Sequence, residues 1–560
     1  MKKLISIILF TFCALTLFAG VKVDDQRSFR ISKNLSIFNS IFREMDLYYV
    51  DTLSYDKMMK STIDNMLQKL DPYTVYIPEE ETDDLKFMTT GEYAGIGAMI
   101  MKRENEVYIS ELYEGKPAQK NGVKAGDQIL EINDKKVGGL SVNEVSALLK
   151  GTPNTIIKLK LKRFGEKSTI AIQFPREKIQ INPISYSAVV GDKVGYLLLN
   201  DFTDRAAQEL KIELSKLISL HQVTSLVLDL RNNGGGLVDE AVKILGYFLP
   251  KGTEVVTTKG KNEQSARTYK TPTEPIFPNI RLVVLTNSSS ASASEILAGS
   301  LQDLDKAVII GERTYGKGLV QSIHSLNFDG HIKVTTAKYH IPSGRCIQAI
   351  DYSHRNEDGS VGHIPDSLTH IFSTKNGRKV RDGGGIVPDS VTKNDRKLNI
   401  AYYIYAQNLY FDFANLYVQK HASIASPQDF KLSDDEYKSF TDYLIEKKFS
   451  YTSQTEKEFT ELYNTSKLEG LDTLAAAEFT ALKAKLAPKI PKSIADNKAD
   501  ISEILSAEII KRYYYQKGLI EYSLRSDKDL KTALYILAKK GKYDKILNKV
   551  KEKPEGHEGE

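Results

Sequence analysis

A serine-rich turn offers the nucleophiles of this sequence. Residues 288–296 read SSSASASEI and follow an apolar run, so their hydroxyls are predicted at a corner where a strand gives way to a helix. A hydroxyl at the start of a helix lies near the positive end of the helix dipole, which favours developing negative charge. The residues leave three candidate nucleophiles, Ser290, Ser292 and Ser294, and serines that only cap the helix are the alternative.

Lys317, which lies between Gly316 and Gly318, is a candidate general base for such a serine. A lysine acts as a base only when neutral, so its pKa has to fall well below the ordinary value, as burial would achieve. The alternative is a solvated surface lysine. A Ser-His-Asp triad is the other option, and His324 and His340 are the histidines nearest in sequence. The sequence, however, contains no G-x-S-x-G elbow, the motif that holds the serine in many such triads.

The stretch GERTYGKG at 311–318 matches the phosphate-binding pattern G-x-x-x-x-G-K except at its last position. Gly318 stands where a Ser or Thr would bind Mg²⁺, and the residues that follow are typical of a strand. We therefore expect no nucleotide.

Cys13 and Cys346 are too few for a cysteine-rich metal site or a disulfide framework, and no motif indicates a cofactor or a metal.

Alternating strands and helices between about 193 and 345 are predicted to hold the serines and the lysine. The predicted buried strands are 194–200, 225–230, 280–286 and 307–311, and the predicted helices are 204–221, 237–248 and 293–304. This alternation favours an α/β core with a largely parallel sheet. The serine-rich turn follows the third of these strands.

Gly95 and Gly97 flank Ile96 just before a predicted strand. Glycines let backbone N–H groups turn outward into a nest that can hold the C-terminal carboxylate of a peptide, while the strand edge pairs with the peptide backbone. Ile96 and Ile100 are predicted to line a pocket for the last side chain. A simple strand-entry turn is the alternative, but GKPAQKNGVKAGDQILEIND at 115–134 resembles the helix, turn and strand of a PDZ domain.

The N-terminus predicts export. Lys2 and Lys3 precede an apolar run over 4–18 that ends at Ala19 and Gly20, the pattern of a secretory signal. The run is shorter than the ~20 residues of a membrane-spanning helix, and an uncleaved anchor is the alternative. We expect the mature protein in the periplasm or cell envelope.

Composition narrows the function classes further. The 560 residues are 41% hydrophobic and 27% charged, which excludes a disordered chain and a polytopic membrane protein. A net charge of +5 is too small to favour nucleic acid.

Aromatic runs at 402–417 and 513–515 are predicted to pack between C-terminal helices. A surface for a second subunit or an adaptor is the alternative.

Taken in order, a series of motifs over about 35–395 resembles the carboxy-terminal processing peptidases, also called tail-specific proteases. The motifs are YVD (49–51), LDPYTVY (70–76), the PDZ-like stretch, DLRNNGGG (229–236), SASASEILAGSLQD (290–303), GERTYGKGLVQ (311–321), KYHIPSGRCIQ (338–348) and GGGIVPD (383–389). The resemblance implies a serine–lysine peptidase with a crotonase-like α/β core. It also implies that the nucleophile is Ser292, that the base is Lys317 and that Gln321 positions the lysine amine.

The resemblance also implies an oxyanion hole. Its donors would be the N–H of Ala293 and one N–H of the DLRNNGGG loop, from Gly235 or Gly236. Gly234 stands where many relatives have proline, and 351–382 resembles an insertion.

We therefore predict a multidomain α/β and α-helical chain, an exported serine endopeptidase that recognises protein or peptide substrates by their apolar C-terminal tails. The alternative is a catalytically silent PDZ-containing scaffold, which the intact Ser292, Lys317 and Gln321 set disfavours. The expected divisions are a signal peptide (1–20), an N-terminal helical segment (21–88), a PDZ-like domain (89–175), an α/β peptidase core (176–395), a C-terminal helical domain (396–548) and a disordered tail (549–560).

Overall fold

The computed structural model describes residues 25–261, 266–356, 360–392, 398–539 and 541–548. The predicted signal segment and the predicted polar tail lie outside these residues. The chain divides into two compact units, 1–76 and 77–560. None of the described helices is both long enough and apolar enough to span a membrane.

The first unit consists mainly of two helices, α1 (Asp25–Tyr48) and α2 (Tyr55–Gln68). Asp71 and Pro72 follow the second of these helices. Asp71 Oδ1 accepts the N–H groups of Tyr73 and Thr74, both at 2.8 Å, and so forms a turn directly after the helix ends.

The second unit begins with a β-rich domain. Its elements, with the strand that precedes them, are β1 (Val75–Ile77), α3 (Thr82–Thr90), β2 (Glu92–Gly95), β3 (Ala98–Arg103), β4 (Glu106–Leu112), α4 (Pro117–Lys120), β5 (Gln128–Ile132), β6 (Lys135–Lys136), α5 (Val142–Leu149), β7 (Ile156–Lys162), β8 (Thr169–Pro175) and β9 (Glu177–Gln180). The main sheet has the order β3-β4-β5-β7-β8, with β6 on β5, and β2 pairs with β9. Strand β7 reads IIKLKLK. Its lysines are exposed and every second residue, always an apolar one, is buried, as a sheet with one solvated face requires.

The α/β core follows. Its elements are β10 (Ile184–Gly191), β11 (Val194–Leu199), α6 (Ala206–His221), β12 (Ser225–Asp229), α7 (Val238–Gly246), β13 (Glu254–Gly260), β14 (Arg267–Lys270), β15 (Arg281–Thr286), α8 (Ala293–Asp303), β16 (Ala307–Gly311), β17 (Leu319–Ser325), β18 (His331–His340), β19 (Ile350–Arg355), β20 (Val361–His363), β21 (Ile371–Ser373), β22 (Lys379–Arg381) and β23 (Ser390–Val391). The four buried strands and three helices predicted from the sequence are confirmed to within two residues at each end. The segment that resembled an insertion forms two antiparallel pairs, β19-β20 and β21-β22.

The C-terminal part is helical, as predicted. Its elements are α9 (Ile400–Ala406), α10 (Leu409–Lys420), α11 (Asp434–Glu446), α12 (Gln454–Leu468), α13 (Ala476–Leu486), α14 (Ile490–Asp496), α15 (Lys498–Leu524), α16 (Lys528–Ala538) and α17 (Lys542–Leu547). Helices α9 to α11, α14 and α15 share one apolar core that contains many of the predicted aromatic residues. Ion pairs join this body to the β-rich domain, Arg103 with Asp412 at 2.6 Å and Lys511 with Glu111 at 3.0 Å.

The last two helices belong structurally to the core sheet. That sheet has the order β10-β11-β12-β15-β16-β23, and all of its pairs except β10-β11 are parallel. Leu226 and Leu228 of β12 pack with α6, α7 and α8, whereas Val227 packs on the opposite face with α16 and α17. A parallel sheet has to be covered on both faces, and here the second cover comes from the end of the chain.

Candidate active site

The structure distinguishes the three candidate serines by burial. The hydroxyls of Ser290 and Ser294 donate to the carbonyls of Leu230 and Asn233 at 2.8 and 2.9 Å, and both side chains are fully buried. Ser292 is partly exposed and lies at the N-cap of α8. Its φ of 57° falls in the left-handed region that favours glycine, so the turn holds this serine in a strained conformation.

A buried carboxylate joins the predicted nucleophile to the predicted base. Glu295 Oε2 accepts the N–H groups of Ser292 at 2.9 Å and of Lys317 at 2.8 Å. Glu295 Oε1 accepts the N–H of Gly316 at 2.7 Å and the hydroxyl of Thr314 at 2.5 Å. Burial raises the pKa of Glu295 to about 7, and the four donors oppose that shift.

Tyr339 of β18 fixes the same two residues from their carbonyl side. Its hydroxyl donates to the carbonyl of Ser292 at 3.2 Å and also contacts the carbonyl of Lys317. Sequence reasoning missed Tyr339 and Glu295. The pattern Ser-x-x-Glu, typical of a capping box, was a local signal for Glu295, but no local pattern points to Tyr339.

Gln321 lies on β17, just after Lys317, and its amide donates to Thr335 Oγ1 at 3.2 Å. Its predicted role as the partner of the lysine amine therefore stays a prediction. Of the alternative bases, His324 is exposed on the same strand. His340 hydrogen-bonds a backbone carbonyl through Nδ1 at 3.1 Å.

The glycine loop, residues 229–236, lies against the predicted nucleophile. A Cβ on Gly235, where φ is +104°, would lie 2.7 Å from Ser292 Cβ and 2.9 Å from the nitrogen of Ala293, so only glycine fits. The Gly235 N–H is already donated, at 2.8 Å, to the side chain of Asn233. Gly235 therefore does not supply the free oxyanion donor predicted for it, because the side-chain oxygen of Asn233 already accepts the Gly235 N–H.

The two other predicted donors are the N–H groups of Ala293, at the start of α8, and of Gly236, the next residue of the glycine loop. Within the described ranges, the N–H groups of Ala293 and Gly236 meet no acceptor. Their predicted role as oxyanion donors therefore stays a prediction.

The segment 311–318 has no P-loop geometry. It leads into strand β17 rather than a helix, and the N–H of Gly318 is donated to Gln348 Oε1 at 2.7 Å. Across the parts of the chain that the structure describes, no three His, Cys, Asp or Glu side chains cluster as a set of metal ligands.

A groove opens between β3 and α5 in the β-rich domain, around a cavity of about 210 Å³. Three of the four predicted peptide-binding residues line it, Gly95, Ile96 and Ile100. The fourth, Gly97, is not among the lining residues. It makes the adjacent turn at φ +74°, where a Cβ would lie 2.4 Å from that of Lys116. The prediction did not include the other lining residues, Phe87, Tyr93, Ala98, Tyr113, Ser146, Leu149 and Lys150.

Three family models match the chain. The PDZ domain model matches residues 84–162, the model of peptidase family S41 matches 193–353, and the model of a probable PDZ-protease C-terminal helical domain matches 400–537. The groove therefore lies in a PDZ domain, and the serine and lysine turns lie in the peptidase match. The last match covers most of the C-terminal helices.

Named relatives agree with these matches. A carboxy-terminal-processing protease of Bartonella bacilliformis is 33% identical over 385 residues, which cover 66% of this chain and 88% of the relative. A probable CtpA-like serine protease of Staphylococcus aureus is 33% identical over 318 residues, or 56% of this chain and 62% of the relative. The solved structure of a photosystem II D1 C-terminal processing protease is 31% identical in sequence. The match covers 55% of this chain and 83% of that protease, with a TM-score of 0.34. From its sequence relatives, the chain belongs to the carboxy-terminal processing proteases, serine peptidases of family S41, and it carries a PDZ domain and a C-terminal helical domain.

Proposed function

We propose that this peptidase is an exported endopeptidase that binds the apolar C-terminal tail of a protein in its PDZ groove and cleaves the chain with a Ser292–Lys317 dyad. The observation that carries the proposal is the Glu295 carboxylate, one oxygen of which accepts the backbone N–H groups of both residues. This shared acceptor holds together two turns that lie 25 positions apart in the sequence.

The proposed reaction uses these residues in turn. Neutral Lys317 takes the proton of Ser292 Oγ as the oxygen attacks the scissile carbonyl carbon. The N–H groups of Ala293 and Gly236 stabilise the resulting oxyanion. Its collapse breaks the C–N bond, and the lysine ammonium returns the proton to the leaving amine. The same lysine then deprotonates a water molecule, which attacks the acyl carbon. The bond from that carbon to Ser292 Oγ breaks, and the lysine ammonium returns the proton to Ser292 Oγ.

The PDZ groove supports the selection of chain ends. A PDZ domain implies peptide binding, and a peptide that adds to the edge of β3 would place its last side chain in a cavity lined by Ile96, Ile100 and Leu149. These side chains favour an apolar last residue, since burying a charged one without a partner is costly.

Two finer features belong to the same proposal. The mostly parallel sheet with alternating helices supports the crotonase-like architecture that the resemblance implies. The basic and apolar start of the sequence supports export to the periplasm or cell envelope. N-terminal sequencing of the protein from an envelope fraction tests the export, and a start near residue 21 is expected.

The experiment that tests the dyad compares Ser292→Ala with Ser288→Ala, an exposed serine of the same turn. The substrate is an unfolded protein with an apolar C-terminal tail. We expect Ser292→Ala to lower turnover by at least about a thousandfold, since removing a nucleophile disables the whole unit. Ser288→Ala should keep wild-type turnover. Binding of the tail without cleavage by the wild-type protein would instead favour the silent scaffold.

A further inference from the structure

Arg231 of the glycine loop lies among three carboxylates, two of which come from the far end of the chain. Its Nη2 lies 2.5 Å from Asp229 Oδ2 and 2.6 Å from Asp527 Oδ2, and its Nη1 lies 2.9 Å from Asp529 Oδ2. The Arg231 side chain is 19% exposed, and the side chains of Asp527 and Asp529 are 11% and 8% exposed. Ion pairs this deeply buried hold their partners in fixed geometry, because breaking one leaves an unpaired buried charge.

Each carboxylate is held by a second contact. Asp229 Oδ2 accepts the hydroxyl of Tyr196 at 2.6 Å. Asp527 is the N-cap of α16, and its Oδ1 accepts an N–H from the first turn of that helix at 2.9 Å. Asp529 Oδ1 accepts the hydroxyl of Thr392. The guanidinium is therefore held by a rigid frame that joins the core sheet to the start of α16.

The residues on either side of Arg231 are hydrogen-bonded to the serine turn and to Asn287, which precedes it. The next residue, Asn232, makes two hydrogen bonds with Asn287. The backbone N–H of Asn232 donates to Asn287 Oδ1 at 3.0 Å, and Asn287 Nδ2 donates to Asn232 Oδ1 at 2.9 Å. The preceding residue, Leu230, accepts the Ser290 hydroxyl. Leu230, Asn232 and Asn233 thus bond the glycine loop to the turn that carries Ser292, at positions on both sides of Arg231.

We propose that Asp527 and Asp529 are positioning residues for proteolysis. They hold Arg231, and through it they keep the glycine loop and its Gly236 donor in register with Ser292. The C-terminal helices therefore act on the reaction itself, in addition to covering the sheet. This inference rests on the proposed role of Ser292 as the nucleophile.

The test uses the full-length protein and the variants Asp527→Asn, Asp529→Asn and the double variant. Asparagine is a good N-cap residue, so Asp527→Asn keeps the helix cap while it removes the charge that faces Arg231. Asp544→Asn, an exposed acidic residue in the first turn of α17, is the matched control. We measure kcat and KM on a tailed peptide per folded molecule, with the folded fraction taken from thermal unfolding.

We expect the double variant to lose roughly tenfold to a hundredfold in kcat, because a displaced oxyanion donor weakens transition-state stabilisation. KM should change less than twofold, since the PDZ groove is untouched. Asp527→Glu restores the charge and should recover part of the lost kcat. Asp544→Asn should match the wild type.

Wild-type kcat per folded molecule in the double variant would overturn the inference and leave α16 with a purely structural role. A matching loss in Asp544→Asn would do the same. Should the double variant fail to fold, Asp527→Asn alone, with Asp527→Glu as its rescue, gives the same decision. Turnover that survives Ser292→Ala would instead overturn the proposed function, whatever the aspartate variants do.

Discussion

The serine turn and the PDZ groove are built in opposite ways. In the turn, Ser290 and Ser294 are fully buried, and Glu295 satisfies four donors with its two oxygens. The groove is a cavity of about 210 Å³ lined mainly by apolar and aromatic side chains. The proposed chemistry needs atoms in fixed positions, whereas the proposed binding of chain ends needs a surface that tolerates different side chains.

The two sites also differ in how much of the chain they use. The groove is lined by residues between 87 and 150. The serine turn depends on contacts with the glycine loop, with Gly316 and Lys317, and with Tyr339. Substitutions at the turn should therefore change kcat, and substitutions at the groove should change KM.

The largest expected effect comes from Lys317→Arg, which we expect to lower turnover by at least about a thousandfold. A guanidinium keeps its proton at any pH the protein tolerates, so it cannot act as the base. Lys251→Arg, at an exposed position, is the control. Wild-type turnover should also fall on the acid side, as the lysine becomes protonated. A folded Lys317→Arg variant that cleaves at the wild-type rate would contradict the dyad.

Glu295→Gln should lower kcat by roughly a hundredfold. The carboxylate accepts four hydrogen bonds, and a glutamine amide would turn an NH₂ group toward two of those donors. The serine and lysine turns would then lose their common acceptor. Glu274→Gln, an exposed position before β15, is the control. An unchanged kcat would show that Tyr339 alone suffices to hold the two turns.

The same variant tests the pKa of Glu295. A carboxyl whose pKa is raised to about 7 on folding binds more protons folded than unfolded at intermediate pH. It therefore lowers the free energy of unfolding as the pH rises from about 4.5 to about 7. Denaturant titrations across that range should give a shallower dependence in Glu295→Gln than in the wild type. Parallel curves would mean that the pKa is not raised.

A smaller effect is expected at the groove. Amidating the C-terminus of a substrate, or replacing its apolar last residue by a charged one, should raise KM about tenfold and leave kcat nearly unchanged. A substrate with the same charge change placed far from the tail is the control. Equal KM values for free and amidated tails would show that the PDZ domain does not read chain ends.

The smallest effect is expected from replacing His324 and His340 by glutamine, which should change turnover less than twofold. His324 is exposed on β17, and the ring of His340 is engaged with a backbone carbonyl. A several-hundredfold loss in a folded variant would restore the histidine triad as the mechanism. Turnover of the double variant on the same peptide decides between the two bases.

The alternation of apolar runs and amphipathic segments determined the secondary structure of the core, because apolar runs are typical of buried strands and amphipathic segments of helices with one buried face. The run SLVLDL predicted β12 in this way, and the serine-rich turn was correctly placed between β15 and α8. This pattern left the three serines equivalent, because serines at alternate positions of a turn do not show which of them is buried. The ordered motifs singled out Ser292, and only the fold shows why Ser290 and Ser294 are buried, with their hydroxyls donated to the glycine loop.

The sequence by itself therefore determined the family, the order of the domains' motifs and the residue types available for chemistry. Only the tertiary structure decided that Gly235 has already given its N–H to Asn233, that Glu295 serves two turns and that α16 and α17 cover the core sheet. Local rules describe contacts between near neighbours in the chain. Arg231 and Asp527 lie 296 positions apart, and their pairing arises because both faces of a parallel sheet have to be covered.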